Sequence, residues 1–250
     1  MTVPLVVGNT KAYINTIKEM YNLQESIWQN LDKEKYQYML AVPATMLHSL
    51  VNEKYKAAIF GAQTFDIEAD GAHTGATTLK QLRDAGAKFT ILGHSERRAM
   101  GESDDYVSDR ARESINNNMT TIVCVGEDDR QNGEEYLDFI KHQLEGSLLG
   151  VDRRGADNLV IAYEPLWAIG AARPATAAQT LEVVIHIRRS LVELFGLENA
   201  KKIKVIYGGA VTSEGVAEFV REAGVDGVLV GRAATKGKDF AAIVNELNRD

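Results

Sequence analysis

Eight short apolar runs recur along the chain, at Leu5–Gly8, Tyr38–Val42, Ala58–Ala62, Phe89–Leu92, Thr121–Val125, Leu159–Tyr163, Lys204–Tyr207 and Gly227–Val230, and a longer mixed segment follows each. Apolar runs this short, without polar alternation, read as strands buried on both faces, the pattern of a parallel sheet covered by helices. The segments between them carry helix signals. Leu181, Val184, Ile185, Leu191, Val192 and Phe195 recur at helical spacing as one apolar stripe. Ser103 followed by Asp104 and Asp105 is a helix start whose acids suit the positive end of the macrodipole.

Parallel strands joined by right-handed crossovers can close on themselves when eight units of about 30 residues are present. The competing architecture is an open doubly wound sheet, but no Gly-x-Gly-x-x-Gly follows the first run as a dinucleotide-binding sheet would want. No proline- or serine-rich linker and no shift in composition divides the 250 residues. The expected fold class is therefore α/β, a (β/α)8 barrel in which residues 1–250 form a single domain.

The net charge of −7 gives no electrostatic footprint for nucleic acid or an anionic membrane, so an anionic ligand must be held by local groups. A lone cysteine, Cys124, excludes an internal disulfide and is read as a packing residue rather than a nucleophile. The N-terminus has no secretion signal and no window is long enough to span a membrane, which leaves a cytoplasmic protein as the expectation.

In such a barrel the working face lies at the C-terminal ends of the strands. The first run is followed by Asn9 and Lys11, the fourth by Gly93, His94, Ser95 and Glu96, and the sixth by Glu164. Runs seven and eight end in Gly208-Gly209 and Gly231-Arg232, where glycine lets backbone N–H groups approach an anion. After Glu164 comes a loop from Leu166 to Ala175 that holds Trp167 and Ile169 beside Gly170, Ala171 and Ala172, and then Thr176 and Gln179 at capping-box spacing. That loop reads as a lid. Carboxylate, imidazole, ammonium, amide and phosphate cradle together suit the movement of a carbonyl between adjacent carbons of a sugar phosphate. The reaction needs a base for an unacidic C–H, an electrophile on the carbonyl and a cation near the developing oxyanion, with no metal or redox cofactor.

These segments together resemble the triosephosphate isomerase family. Gly-Asn-Thr-Lys at 8–11 is similar to its Gly-Asn-x-Lys, Ile-Leu-Gly-His-Ser-Glu-Arg-Arg at 91–98 to its fourth-strand motif, and Ala-Tyr-Glu-Pro-Leu-Trp-Ala-Ile-Gly at 162–170 to its segment through the lid. Cys-Val-Gly-Glu at 124–127, Tyr-Gly-Gly at 207–209 and Gly-Val-Leu-Val-Gly at 227–231 also fit, in the family's order. The resemblance implies a TIM barrel that interconverts dihydroxyacetone phosphate and glyceraldehyde 3-phosphate without a cofactor. It implies that Glu164 is the base, that His94 polarises the carbonyl, that Lys11 offsets phosphate and oxyanion charge, that Asn9 holds the enediolate and that Glu96 supports them. This family is a standard example of a carboxylate base working beside a neutral imidazole. Gly170, Ala171, Gly209, Ala210, Gly231 and Arg232 would meet the phosphate. The resemblance also implies a homodimer through the 71–76 loop, Gly-Ala-His-Thr-Gly-Ala, with Thr74 at its tip.

The chain departs from the family at several of these positions. Ala171-Ala172 replaces Thr-Gly, Ala210 replaces Ser, Thr10 replaces a frequent Trp, and Ala76 replaces a Glu that would pair across the dimer, with Arg98 as the suggested partner. Arg232 stands where a second Gly is usual, and either projects to solvent while its backbone meets the phosphate or contacts the ligand directly. Two other functions stay open at this point. One is an isomerase of a four-carbon ketose phosphate such as an erythrulose phosphate; the other is a phosphate-binding barrel without catalysis.

Overall fold

The structure is a computed structural model that describes residues 3–32, 36–51, 57–66, 71–130, 133, 135–169 and 174–249. Its strands are β1 Leu5–Asn9, β2 Tyr38–Val42, β3 Ala58–Ala62, β4 Phe89–Leu92, β5 Thr120–Val125, β6 Leu159–Tyr163, β7 Lys204–Tyr207 and β8 Gly227–Val230. Each pairs in parallel with its neighbour in sequence, and β8 returns to pair with β1, with Leu5 opposite Gly227 and Gly8 opposite Val230. The barrel is closed, so no strand edge is left for another chain to pair with. β1 runs one residue further than the apolar run because Asn9 still sits opposite Ala41 of β2, and β5 starts one residue earlier because Thr120 sits opposite Phe89.

The helices are α1 Ile17–Asn30, α2 Ala44–Leu50, α3 Leu79–Asp84, α4 Ser95–Ala99, α5 Asp104–Asn116, α6 Glu135–Ser147, α7 Ala177–Phe195, α8 Leu197–Ala200, α9 Val216–Glu222 and α10 Gly237–Leu247. Three of them open on capping boxes, Thr16 with Glu19, Thr78 with Gln81 and Thr176 with Gln179, each satisfying two otherwise orphaned N–H groups. Ser103 caps α5 by accepting from the Tyr106 N–H. Among the described residues no helix is long and apolar enough to cross a membrane.

Side-chain alternation splits the core in two. Val7, Met39, Ala41, Phe89, Ile91, Ile122, Cys124, Val160, Ala162, Ile206 and Leu229 point into the barrel, and the alternate residues pack outward against the helices. Phe89 fills much of the interior only because Gly61 has no side chain: a Cβ there would overlap the Phe89 ring. A fully buried side chain of this size contributes about 1.5–3 kcal/mol.

The apolar stripe expected on α7 is only half correct. Val184, Leu191 and Phe195 are buried, with Thr180, Val183 and Ile187, whereas Leu181, Ile185 and Val192 are exposed. The face that meets the barrel follows 180, 184, 187 and 191, and 181, 185 and 192 each lie one residue, or about 100°, further round the helix.

Candidate active site

The inward register that builds the barrel interior also delivers the site. Leu5 and Val7 are followed two residues on by Asn9, Val160 and Ala162 by Glu164, Ile206 by Gly208 and Leu229 by Gly231. These positions form the top layer of the barrel. The glycines in it make room. A Cβ on Gly208 would stand 3.0 Å from Glu164 Cγ, and one on Gly231 would stand 3.8 Å from Lys11 Cε. Every site residue named from the sequence, apart from Gly170 and Ala171, lines one cavity of about 490 Å³. Gly170 and Ala171, the expected lid donors, lie outside the described residues.

His94 is the N-cap of α4. Its Nδ1 accepts the Glu96 N–H at 3.2 Å, so a neutral ring carries its hydrogen on Nε2. Nε2 faces Glu164 Oε1 at 3.1 Å, and the other carboxylate oxygen accepts the Ser95 N–H at 3.0 Å. Glu164 is only 3 % exposed, yet both its oxygens have partners, which is the condition for keeping a charge inside a protein. Its backbone is anchored by its own N–H to Val125 O at 2.8 Å, and the Gly208 N–H donates to Tyr163 O at 2.7 Å.

Lys11 sits in the left-handed region at φ 48°, a conformation that costs a residue with a Cβ about 1 kcal/mol or more. Its neighbours hold it there. Asn9 Oδ1 accepts the Lys11 N–H at 3.0 Å, Gln63 Nε2 donates to Lys11 O at 2.9 Å, and Nζ pairs with Glu96 Oε1 at 2.7 Å. The strain is spent on aiming the ammonium into the cavity. Cys124 lies beneath the site, fully buried and free of disulfide. Burial first, and the nearby Glu164 carboxylate second, push its thiol well above the ordinary value, as a packing residue requires.

Three residues that organise the site have no role assigned from sequence, although Gly126 and Glu127 fall within the matching 124–127 segment. Gln63 braces Lys11. Gly126 allows the Glu164 carbonyl to approach, since a Cβ at 126 would collide with it. Glu127, 1 % exposed, gathers three donors onto Oε1: Arg130 Nε at 2.7 Å, Trp167 Nε1 at 2.8 Å and the Tyr163 hydroxyl at 2.9 Å. Through Trp167 it ties down the start of the segment after Glu164. The strand-end rule applied to the third and fifth runs would have found Gln63 and Glu127, because each is the first large polar residue after its strand.

The arrangement is thus a buried carboxylate in contact with an imidazole, beside an ammonium, at the mouth of a closed barrel. Comparison with known proteins agrees with it. The family model for triosephosphate isomerase matches residues 4–247. The chain is 38% identical over 246 residues to the triosephosphate isomerase of Moorella thermoacetica, covering 97% of this chain and 98% of that protein. It is 35% identical over 252 residues to that of Alkaliphilus oremlandii, covering 98% of this chain and 100% of the other. Among solved structures, the crystal structure of triosephosphate isomerase from Bartonella henselae superposes with a TM-score of 0.85 at 32% identity, covering 99% of this chain and 100% of that one. With eight parallel strands in a closed ring, a carboxylate and an imidazole meeting at its mouth, and relatives aligned from end to end, the chain belongs to the triosephosphate isomerase family.

Proposed function

We propose that the chain interconverts dihydroxyacetone phosphate and D-glyceraldehyde 3-phosphate through an enediolate, an intramolecular redox step of glycolysis and gluconeogenesis. The observation that carries this reading is the 3.1 Å approach of Glu164 to His94 Nε2 in the cavity that Lys11 also lines. Glu164 removes a proton from the carbon beside the carbonyl. The Nε2–H of His94 donates to the carbonyl oxygen as it gains charge, Lys11 and Asn9 face the enediolate, and Glu164 returns the proton to the neighbouring carbon. In the present arrangement the carboxylate is held by Ser95 N–H and His94, so substrate must draw it off both before it can meet a C–H. Phosphate binding supplies free energy for that shift and for closing the lid, which lowers the barrier rather than merely tightening binding.

The phosphate has a natural berth at Gly209 and Ala210 and at the backbone of Gly231 and Arg232, all of which line the cavity. Among the described residues the N–H groups of Gly209 and Ala210 donate to no carbonyl or side chain, so they are free to meet an anion. The family resemblance would add the backbone of Gly170 and Ala171, which lie outside the described residues, to that berth.

The functional unit in this reading is a cytoplasmic homodimer of single-domain barrels joined through the 71–76 loop. Residues 71–75 are exposed, and Met100 and Tyr13 leave large apolar surfaces open at 78% and 56% exposure. Arg98 needs no partner from a second copy. It bonds within its own chain to Asp104 at 2.6 Å, Gly93 O at 2.8 Å and Ser147 Oγ at 2.9 Å, so Ala76 at the interface leaves no cation stranded. Sedimentation at assay concentration tests this part, and a fully active monomer would overturn it.

A coupled isomerase assay on three-carbon and four-carbon ketose phosphates tests the activity. The expected kcat/KM favours the triose by at least about tenfold, the smallest usual cost of one added carbon centre in a fitted pocket. Preference for the four-carbon substrate would reassign the reaction. Turnover no higher than that of Glu164→Gln would leave a barrel that binds phosphate without catalysis.

A further inference from the structure

We propose that the Arg232 side chain, and not only its backbone, is a phosphate-binding group of this site, drawing the substrate dianion into the cavity. The inference rests on the isomerase reading for the identity of the anion. It stands on a charge inventory of the cavity wall. Lys11, Arg232 and Lys236 are its lysine and arginine cations, and Glu96, Glu164 and Asp239 are its carboxylates. Two of the cations are already engaged. Lys11 Nζ lies 2.7 Å from Glu96 Oε1, and Lys236 Nζ lies 3.8 Å from Asp239 Oδ2. Arg232 is exposed, and its guanidinium makes no hydrogen bond or ion pair with any described residue.

An arginine on a cavity wall is therefore the one cation there whose charge no carboxylate of the described residues answers. A phosphate dianion needs it. The protein as a whole carries −7, so its long-range field opposes an approaching anion, and without Arg232 the wall would itself carry more negative than positive charge. The planar guanidinium offers paired N–H donors that match two phosphate oxygens, which an ammonium cannot do in the same geometry. The berth is also short of a hydroxyl, because residue 210 is Ala. Arg232 lines the same cavity and would offer a charged donor in place of a neutral one.

The test is phosphate binding, followed by kinetics, on wild type, Arg232→Ala and Arg232→Lys. Titration calorimetry with inorganic phosphate reads the contact without requiring turnover. Expected is an affinity about tenfold weaker in Arg232→Ala, the low end for a charge-assisted contact because the group is solvent-exposed. Arg232→Lys recovers part of the loss, since it keeps the charge but not the fork. In the isomerase assay, kcat/KM falls by a similar factor in Arg232→Ala, and its decline with added salt becomes shallower. Phosphate affinity and salt dependence within twofold of wild type in Arg232→Ala would overturn the proposal. A wild-type enzyme with no isomerase activity would instead count against the isomerase reading, while the calorimetric comparison would still decide the role of Arg232.

Discussion

Replacing Glu127 with Gln keeps the size of the side chain and removes its charge, which makes the hub that anchors Trp167 measurable. One oxygen, Oε1, accepts from Arg130, Trp167 and Tyr163 at 2.7–2.9 Å, whereas Oε2 is buried with no hydrogen-bond partner among the described residues. The amide must therefore keep its oxygen toward the three donors, leaving its NH2 where no acceptor waits. Charge-assisted bonds are roughly twice as strong as neutral ones, so three of them weaken by about 0.5–1 kcal/mol each. Arg130, stacked 4.9 Å from the Trp167 ring and 4.4 Å from Tyr136, keeps Glu182 at 3.8 Å as its ionic partner among the described residues. Tyr163 remains a donor in the variant as well, because burial, the larger cause of its raised phenol pKa, does not depend on the Glu127 charge. The expected loss is about 1.5–3 kcal/mol, which lowers Tm by roughly 3–12 °C for a chain of this size. Because Trp167 lies in the segment proposed to close over the site, kcat and KM should shift together. Scanning calorimetry and steady-state kinetics on the same preparation measure both. A Tm within about 1 °C of wild type would show that the three donors do not depend on the carboxylate charge, refuting the argument.

Gly208→Ala places a methyl 3.0 Å from Glu164 Cγ and 3.2 Å from Tyr163 O, so kcat should fall by about ten- to a hundredfold through displacement of the base, with the far-ultraviolet spectrum unchanged; unaltered kcat would mean that the base has slack. Tyr207 gives a prediction with a sign: burial pushes its phenol up from 10.0 to about 12. A folded pKa above the unfolded one means that its stability contribution is whole below about pH 10 and is lost as pH rises toward about 12. Urea midpoints across that window should therefore fall less steeply in Tyr207→Phe than in wild type, and identical slopes would disprove the assignment. Native protein should resist alkylation of Cys124 at pH 8.5 and react promptly in denaturant, whereas rapid native labelling would contradict its burial.

Much of the barrel is legible in the sequence because its strands are buried on both faces. Leu159–Tyr163 or Ala58–Ala62 has few polar residues to confuse the period, and Asn9, His94 and Glu164 then stand out as the polar residues that end such runs. What local pattern cannot carry is direction. On α7 the sequence offers apolar residues at 181, 184, 185, 191 and 192, and only packing against the barrel decides that 184 and 191 face inward. Gln63 and Glu127 were overlooked for a related reason. Their partners, Lys11 O and Trp167 Nε1, lie 52 and 40 residues away, so their roles exist only once the barrel closes. Arg98 is a third case: whether it waits for a second copy or is satisfied at home depends on Asp104, Ser147 and Gly93 meeting around it.

In the proposed mechanism Glu164 moves the proton. Steady-state kinetics of Glu164→Gln on a triose phosphate tests it most directly. The expected kcat is lower by roughly two to four decades with KM changed far less, as follows when a positioned base is lost and ground-state binding is kept. Turnover like that of the wild type would contradict it.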